Sequence, residues 1–579
     1  MVLYLRNKKR TNSSRIFFLG IVFFVLWIII ILRLISLQII NTSKYKSLAD
    51  NLRTFKEVKE AERGEIFVEE KGEKIPLAMN LYSYTLYAAP NNISNPEEVA
   101  KKLAEVLKIS PDPNNEDFQK ILEKVSKKND WYEVLKNNLS QEEVDEIKKK
   151  NIKGINFEIK PKRFYPERKY FSHLLGFVSS KDEKKVGQYG LEEYYENILS
   201  GKEGLIKGEK AVGNLLIPST KNVFINPKNG SDIILTIDRT VQIKSCQILE
   251  EAVEKYRAES GNIIVVDPKT GAILSLCNWP NFDPNEYSKV KDINIFSNKA
   301  ISYQYEPGSV FKVITFAAGL EENEIKPEDT YEDKGFVKIG GYTIKNAAEK
   351  VWGKRTMKEV LQYSINTGAI FVAKKVGLER FRNWVKKFGF GEKTGIDLPN
   401  EIKGDIKNLS ENKEIYLATA SFGQGIAATP LQIVMSFAAI ANGGKLMKPY
   451  IVKEIVSDNF SFKVEPKEIR QVISPQTSAI LKELLISAVK EGWGKKAQVK
   501  GYLVAGKTGT AEVPYVKGYS KETVHSFVGF APADNPRFVA LVKLDNPTAS
   551  KFSDQTAVPT FGKLADFLLK YYEIPPTEE

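Results

Sequence analysis

Seventeen consecutive residues without a charged side chain, Ile16 to Leu32, constrain this chain more than any other stretch. A run of that length is at the short limit for crossing the hydrocarbon layer of a bilayer. In hydrocarbon every backbone N–H and C=O has to be satisfied within the segment, so the run must be a helix. Arg33 interrupts it, but Leu34 to Ile40 stays largely apolar, and an arginine near a helix end can snorkel to the interface. Arg6, Lys8, Lys9, Arg10 and Arg15 precede the run, which predicts a cytoplasmic N-terminus. A cleaved secretory signal is the competing reading. Its apolar core is shorter and ends in small residues, which do not follow here. The expectation is a basic cytoplasmic segment at 1–15, an uncleaved anchor at 16–40 and, from residue 41, a chain outside the membrane.

The formal net charge of +13 would suggest a nucleic-acid partner if it were concentrated on a folded face. Six of those charges fall within residues 1–33, which hold no Asp or Glu, and the rest are spread thinly. No nucleic-acid partner is expected. Two cysteines, Cys246 and Cys277, exclude a disulfide-rich scaffold and a four-cysteine zinc site, and leave open whether they pair. Two histidines, His173 and His525, leave little room for a multi-histidine metal centre or a Ser-His-Asp triad. His173, in an apolar stretch, reads as structural. A serine enzyme built on this chain needs another base.

Residues 41–231 show helical spacing at Glu97 to Leu107, Asp117 to Val125 and Gln141 to Lys149, followed by a charged, glycine-rich stretch from Gly187 to Gly204. They read as a spacer or docking module with a solvated, charged face. Beyond residue 232 the texture changes. Asn262 to Val266, a turn through Asp267 to Gly271, and Ala272 to Cys277 read as strand, turn, strand. Val524 to Phe530 and Phe538 to Leu544 read as a second hairpin, with Tyr502 to Glu512 as a fifth strand and a helix from Phe561. Residues 309–440 read as mainly helical. Strands at both ends with helices between them predict an α+β domain whose antiparallel sheet is assembled from both ends, spanning 232–572, with a short tail at 573–579.

Within that domain, Pro307 and Gly308 deliver Ser309 to the start of an apolar run whose one charge is Lys312. Residues three apart on a helix share a face. A buried ammonium is disfavoured, so its pKa falls, and a neutral amine beside a serine is a general base beside a nucleophile. Ser-x-x-Lys begins at five serines here, Ser43, Ser288, Ser309, Ser410 and Ser487, so the pattern alone carries little. Only at Ser309 does a turn precede the serine and an apolar segment enclose the lysine. A capping serine with a snorkelling lysine is the bland alternative. Ser364 and Asn366 supply a hydroxyl and an amide for proton relay, although the same spacing also fits a loop with local side-chain bonds. Lys507-Thr508-Gly509-Thr510 lies in a strand-like run rather than a turn. A glycine there often marks a close approach, and a cation with two hydroxyls can hold a carboxylate.

In this order, Ser309-x-x-Lys312, Ser364-x-Asn366 and Lys507-Thr-Gly509 resemble the penicillin-recognising serine acyltransferases, and more narrowly the monofunctional class B penicillin-binding proteins. Tyr305-Glu-Pro-Gly308, Ser421-Phe-Gly-Gln-Gly-Ile426, Thr429-Pro-Leu-Gln432 and Ser526-Phe-Val-Gly-Phe-Ala-Pro532 extend the likeness. Arg63-Gly-Glu-Ile66 and Arg163-Phe-Tyr-Pro166 look like the family's pedestal signatures. The usual Asp-Arg-x-Gly turn after the first is replaced by Val68-Glu-Glu-Lys-Gly72. The resemblance implies a pedestal at 41–231, a transpeptidase fold at 232–572, and no glycosyltransferase domain. It implies Ser309 as nucleophile, Lys312 as base, and Ser364 and Asn366 as proton- and amide-positioning groups. Lys507, Thr508, Gly509 and Thr510 would bind the substrate carboxylate, with no metal or cofactor. The implied partners are peptidoglycan stem peptides, β-lactams, the cytoplasmic membrane, a polytopic glycosyltransferase of the SEDS type and other division or elongation proteins. A β-lactamase, a membrane β-lactam sensor and a non-catalytic division scaffold share parts of this pattern.

Overall fold

The computed structural model describes residues 13–46, 54–128, 130–181, 184–209, 223–458, 460–515 and 518–578. They fall into two compact units, 1–61 with 201–229, and 62–200 with 230–579. In the first unit a helix, Ser13–Ile35, runs on into a wider turn at Ser36–Ile40. Over Arg15–Ile40 its mean hydropathy reaches 3.0 and, among the described residues, nothing buries its most apolar window, so it is long and apolar enough to cross a membrane. Residues 1–12 of the basic segment lie outside the described residues. The same unit holds three antiparallel strands, Thr54–Lys59, Gly204–Glu209 and Val223–Ile225, paired in that order.

The second unit begins with a seven-stranded sheet. Its long strand, Glu73–Ala88, pairs with Ile66–Glu70, Glu133–Leu139 and Ile155–Phe164. Three helices, Pro96–Val106, Glu116–Val125 and Gln141–Lys149, bury Val99, Leu103, Phe118, Ile121, Val144 and Ile147 against Leu86, Ala88 and Leu139. Asn95, Asn115 and Ser140 cap their N-termini, Ser140 in a full capping box with Glu143. These are the three helices expected from spacing.

The glycine-rich stretch after Gly187 is not the solvated face expected. Glu192 within it is fully buried between two arginines far away in sequence. Its Oε2 accepts from Arg63 Nε at 2.6 Å and its Oε1 from Arg163 Nε at 2.8 Å, with Tyr165 Oη donating to Oε1 at 3.2 Å. Arg63 also reaches Glu196 at 2.6 Å. Burial pushes the Glu192 carboxyl up, and the two guanidiniums more than offset it, leaving its pKa below the ordinary value. The two pedestal signatures are therefore one buried ion cluster. Removing one partner of such a cluster leaves uncompensated buried charge. Glu192→Gln is expected to lower stability by about 3–5 kcal/mol, read as a fall in the urea midpoint; an unchanged midpoint would contradict it.

The other large sheet of this unit has five antiparallel strands: β1 (Ser260–Val266), β2 (Ile273–Trp279), β3 (Ala505–Tyr515), β4 (Gly518–Ala531) and β5 (Phe538–Asp545), in the spatial order β2-β1-β5-β4-β3. It is assembled from both ends of the domain, as expected. Residues on β5 alternate between two cores: Phe538, Ala540, Val542 and Leu544 join one, Val539 and Leu541 the other. Strands covered on both faces read as continuous apolar runs. Five of the helices of this unit are α1 (Arg239–Tyr256), α2 (Lys312–Glu321), α3 (Asn366–Val376), α4 (Pro430–Ala441) and α5 (Ala557–Tyr571). Ile248, Leu249 and Val253 of α1 join Phe561, Leu564 and Leu568 of α5 in the first core, while Val313 and Phe316 of α2 join Ile433, Phe437 and Ile440 of α4 in the second. All twelve residues of α4 are buried, and Thr429 with Gln432 forms its capping box. Cys246 on α1 and Cys277 on β2 form a disulfide.

A second region departs from expectation. Within 309–440, residues 330–356 form two small hairpins, Thr330–Asp333 with Gly353–Thr356 and Phe336–Ile339 with Tyr342–Lys345. Four-residue strands are too short to establish a period. The Gly340-Gly341 turn between alternating residues was the available signal.

Candidate active site

The turn before α2 is built by close approaches that glycine alone permits. Gly308 has φ of +59°, and a Cβ there would lie 2.9 Å from the Ala511 Cβ and 3.2 Å from the Thr510 carbonyl oxygen of β3. Its N–H donates to the Gly423 carbonyl at 3.0 Å, while Tyr305 and Ala428 exchange backbone bonds at 3.0 Å each. This seats Ser309 beside β3 on a short 3-10 turn, Gly308–Phe311, that leads into α2. Ser309 is half-buried and Lys312, three residues on, is fully buried.

Lys312 is the hub. Its Nζ lies 3.1 Å from Ser309 Oγ and 3.1 Å from Ser364 Oγ, and donates to the Ser364 carbonyl at 2.5 Å and to Asn366 Oδ1 at 2.7 Å. Burial holds its pKa well below the ordinary lysine value, and the charge of Lys507 adds to that. Ser364 sits at φ +59°, a left-handed conformation that costs a non-glycine residue about 1–3 kcal/mol. In return, both its carbonyl and its hydroxyl face Lys312. Asn366 begins α3, and its Nδ2 donates to the Lys345 carbonyl at 3.1 Å.

Lys507, Thr508, Gly509 and Thr510 lie on β3, an edge strand, paired with Val528, Phe527, Ser526 and His525 of β4. A Cβ on Gly509 would meet Ser526 Oγ at 2.3 Å, Val310 Cγ1 at 3.0 Å and the Pro307 carbonyl at 3.2 Å. The close approach at this glycine is thus made first by Ser526 of β4 and then by the turn that carries Ser309. Lys507 is buried, donates to the Thr508 carbonyl and hydroxyl at 3.3 Å each, and is brought down by burial to about 7. Thr510 Oγ1 donates to Ser553 Oγ at 3.1 Å and accepts from the Ser553 N–H at 3.1 Å.

The structure therefore gathers Ser309, Lys312, Ser364 and Asn366 into one hydrogen-bonded cluster and packs the strand of Lys507 to Thr510 against the turn that carries Ser309. Ser553 was missed, and nothing in the sequence marks a hydroxyl 43 positions beyond its partner. Also unforeseen is a cavity of about 320 Å³ lined by Tyr305, Glu306, Asp405, Glu512 and Val513. His173 is buried with Nε2 2.8 Å from the Ile295 carbonyl, a structural placement. Among the described residues no group of three or more His, Cys, Asp or Glu side chains is placed to hold a metal ion.

A half-buried serine with a buried lysine at a helix start, facing a Ser-x-Asn loop and a Lys-Thr-Gly edge strand, defines a serine acyl-transfer site. The chain belongs to the penicillin-binding protein family: the model for the penicillin binding protein transpeptidase domain matches residues 261–566, and that for the penicillin-binding protein dimerisation domain residues 58–235. It is 35% identical to Stage V sporulation protein D of Bacillus subtilis, over 97% of this chain and 86% of that one. It is 29% identical to a peptidoglycan D,D-transpeptidase FtsI homolog of Mesostigma viride, over 99% and 98%. Among solved structures, penicillin binding protein 3 of Mycobacterium tuberculosis complexed with aztreonam superposes with a TM-score of 0.68 at 26% identity, covering 90% of this chain and 99% of that one.

Proposed function

We propose that the chain is a serine D,D-transpeptidase that cross-links peptidoglycan stem peptides, is acylated by β-lactams, and acts in septal or lateral cell-wall synthesis. Lys312 carries this reading: it is fully buried, held below the ordinary lysine range, and 3.1 Å from Ser309 Oγ. A neutral amine there takes the hydroxyl proton as Ser309 Oγ attacks the carbonyl of the penultimate D-alanine. The backbone N–H groups of Ser309 and Thr510 receive the oxyanion, a role worth about 10²–10³ in rate per donor. Lys507, Thr508 and Thr510 hold the terminal carboxylate, and Gly509 keeps their strand against the nucleophile turn. The proton on Lys312 passes through Ser364 Oγ, 3.1 Å away, to the departing D-alanine nitrogen. Asn366 orients the lysine and the substrate amide. An amine from a neighbouring stem then attacks the acyl-enzyme, and Ser309 recovers its proton.

The names of the Mesostigma relative and of the aztreonam-bound Mycobacterium structure support this reading. We assign 1–15 to a cytoplasmic segment, 16–40 to a single-pass anchor in the inner membrane, 41–231 to the pedestal, 232–572 to the transpeptidase domain and 573–579 to a tail. The catalytic domain would then lie outside the cytoplasm, where the Cys246–Cys277 disulfide persists. A SEDS-type glycosyltransferase in the same membrane is the partner that would supply uncross-linked glycan.

The test is direct. Full-length protein in detergent, given a stem pentapeptide and an acceptor amine, releases D-alanine and forms the cross-linked product by mass spectrometry; no release and no β-lactam adduct would end the reading. The pH profile follows from the two lysines. Lys312 must be neutral to act as base, so the second-order acylation rate rises with pH through its lowered pKa. Lys507 must be cationic to hold a carboxylate, so the rate declines above about 7 in the free enzyme. A bell is expected; a rate still climbing near the ordinary lysine pKa of about 10.4 would contradict it.

A further inference from the structure

Behind the Ser-x-Asn loop lies a buried carboxylate with no part in the chemistry above. Asp333 is 2% exposed. Its Oδ1 accepts from the Gly335 N–H at 2.9 Å and from Thr367 Oγ1 at 2.7 Å, and its Oδ2 from Asn346 Nδ2 at 2.9 Å and the Trp352 N–H at 2.8 Å. Four donors require an ionised carboxylate, since a protonated acid or an amide would turn a hydrogen toward at least one of them. Burial pushes Asp333 up, and the bonds from Thr367, Gly335, Trp352 and Asn346 more than offset it, so its pKa lies below the ordinary value.

The bonds converge on one place. Asn346, held by Asp333, accepts from the Thr367 N–H at 3.1 Å, and the neighbouring Lys345 carbonyl accepts from Asn366 Nδ2 at 3.1 Å. Thr367 Oγ1, whose own proton goes to Asp333, also lies 2.7 Å from Tyr331 Oη, which donates to it. Two consecutive residues at the start of α3 are thus pinned from the 333–352 segment. The consequence falls on the Asn366 amide. With Nδ2 committed to Lys345, Oδ1 is the end that faces Lys312, at 2.7 Å. If the Lys345 carbonyl shifts, the amide is free to turn its NH₂ toward a lysine that has to remain a base.

We propose that Asp333 is a positioning residue which, through Thr367 and Asn346, fixes the Asn366 amide against Lys312 and thereby sets the rate of acylation. The inference rests on the transpeptidase reading and adds a residue to it that touches no substrate.

The test uses full-length protein in detergent with a fluorescent penicillin, its concentration varied to separate the non-covalent dissociation constant from the acylation rate constant. Thr367→Val keeps the shape and removes the hydroxyl; Thr367→Ser keeps the hydroxyl; Asp333→Asn keeps the size and removes the charge. Small misplacement of reacting groups costs up to about 100-fold, so Thr367→Val and Asp333→Asn should lower the acylation constant about 10- to 100-fold, with binding changed less than about 2-fold and Thr367→Ser near wild type. Should Asp333→Asn fail to fold by thermal melting, the threonine pair still decides. Wild-type acylation by Thr367→Val, a loss confined to binding, or an equal loss in Thr367→Ser would overturn the inference while leaving the transpeptidase reading intact. A wild-type protein that takes no label would overturn both.

Discussion

Ser309→Ala is expected to abolish covalent labelling by any β-lactam and to stop D-alanine release. A serine enzyme stripped of its nucleophile loses about 10⁶ in turnover, because the base and the oxyanion donors then have no bond-forming partner. The structure says why no other hydroxyl substitutes. Ser364 Oγ also lies 3.1 Å from Lys312, but its residue is held at φ +59° and its carbonyl is committed to the same amine at 2.5 Å. Ser309 alone stands on the turn packed against the Lys507 to Thr510 strand. The variant should fold: alanine forfeits one hydrogen bond at a half-buried position, worth about 1 kcal/mol. Thermal melting would establish that, and intact-mass measurement would report the adduct. An adduct of wild-type stoichiometry on the alanine variant would place the nucleophile elsewhere.

Chemistry was more legible in the sequence than the framework that holds it. Ser309 and Lys312 were readable because helix geometry ties residues three apart to one face and because an apolar run forecasts burial of the amine. Both hairpins of the five-stranded sheet were readable because strands covered on two faces are continuous apolar runs, as in Ile263 to Val266 and Phe538 to Val542. What was hidden depends on partners distant in the chain. Glu192 looked like one charge among many until Arg63 and Arg163 closed on it from 129 and 29 positions away. Ser553 supports Thr510 and Asp333 supports Thr367 in the same long-range way. At Gly509 the sequence suggested a close approach, and the structure sets Ser526 of β4 and the turn that carries Ser309 against it. The pairing of Cys246 with Cys277 likewise needed α1 to be laid across β2.

Lys312→Met separates the chemical role of this lysine from its cost to the fold. Methionine fills similar volume without a proton acceptor, so acylation should fall by about 10²–10⁴, the usual worth of a positioned general base. Stability should move in a pH-dependent way that a merely structural residue would not show. In the folded protein Lys312 has a lowered pKa, so between that value and the unfolded value of about 10.4 the unfolded chain binds more protons and wild-type stability rises with pH. Methionine removes this term. It also leaves the Ser364 carbonyl and Asn366 Oδ1 without their donor, a loss independent of the lysine's protonation state. The stability of the variant minus that of wild type should therefore be most favourable to the variant at acidic pH and decline steadily as pH rises toward the ordinary lysine range. Urea denaturation of both proteins across that range reads the difference directly. A difference that stays flat would mean that the folded-state pKa of Lys312 is that of an ordinary lysine, and the neutral amine on which the acyl-transfer chemistry depends would lose its support.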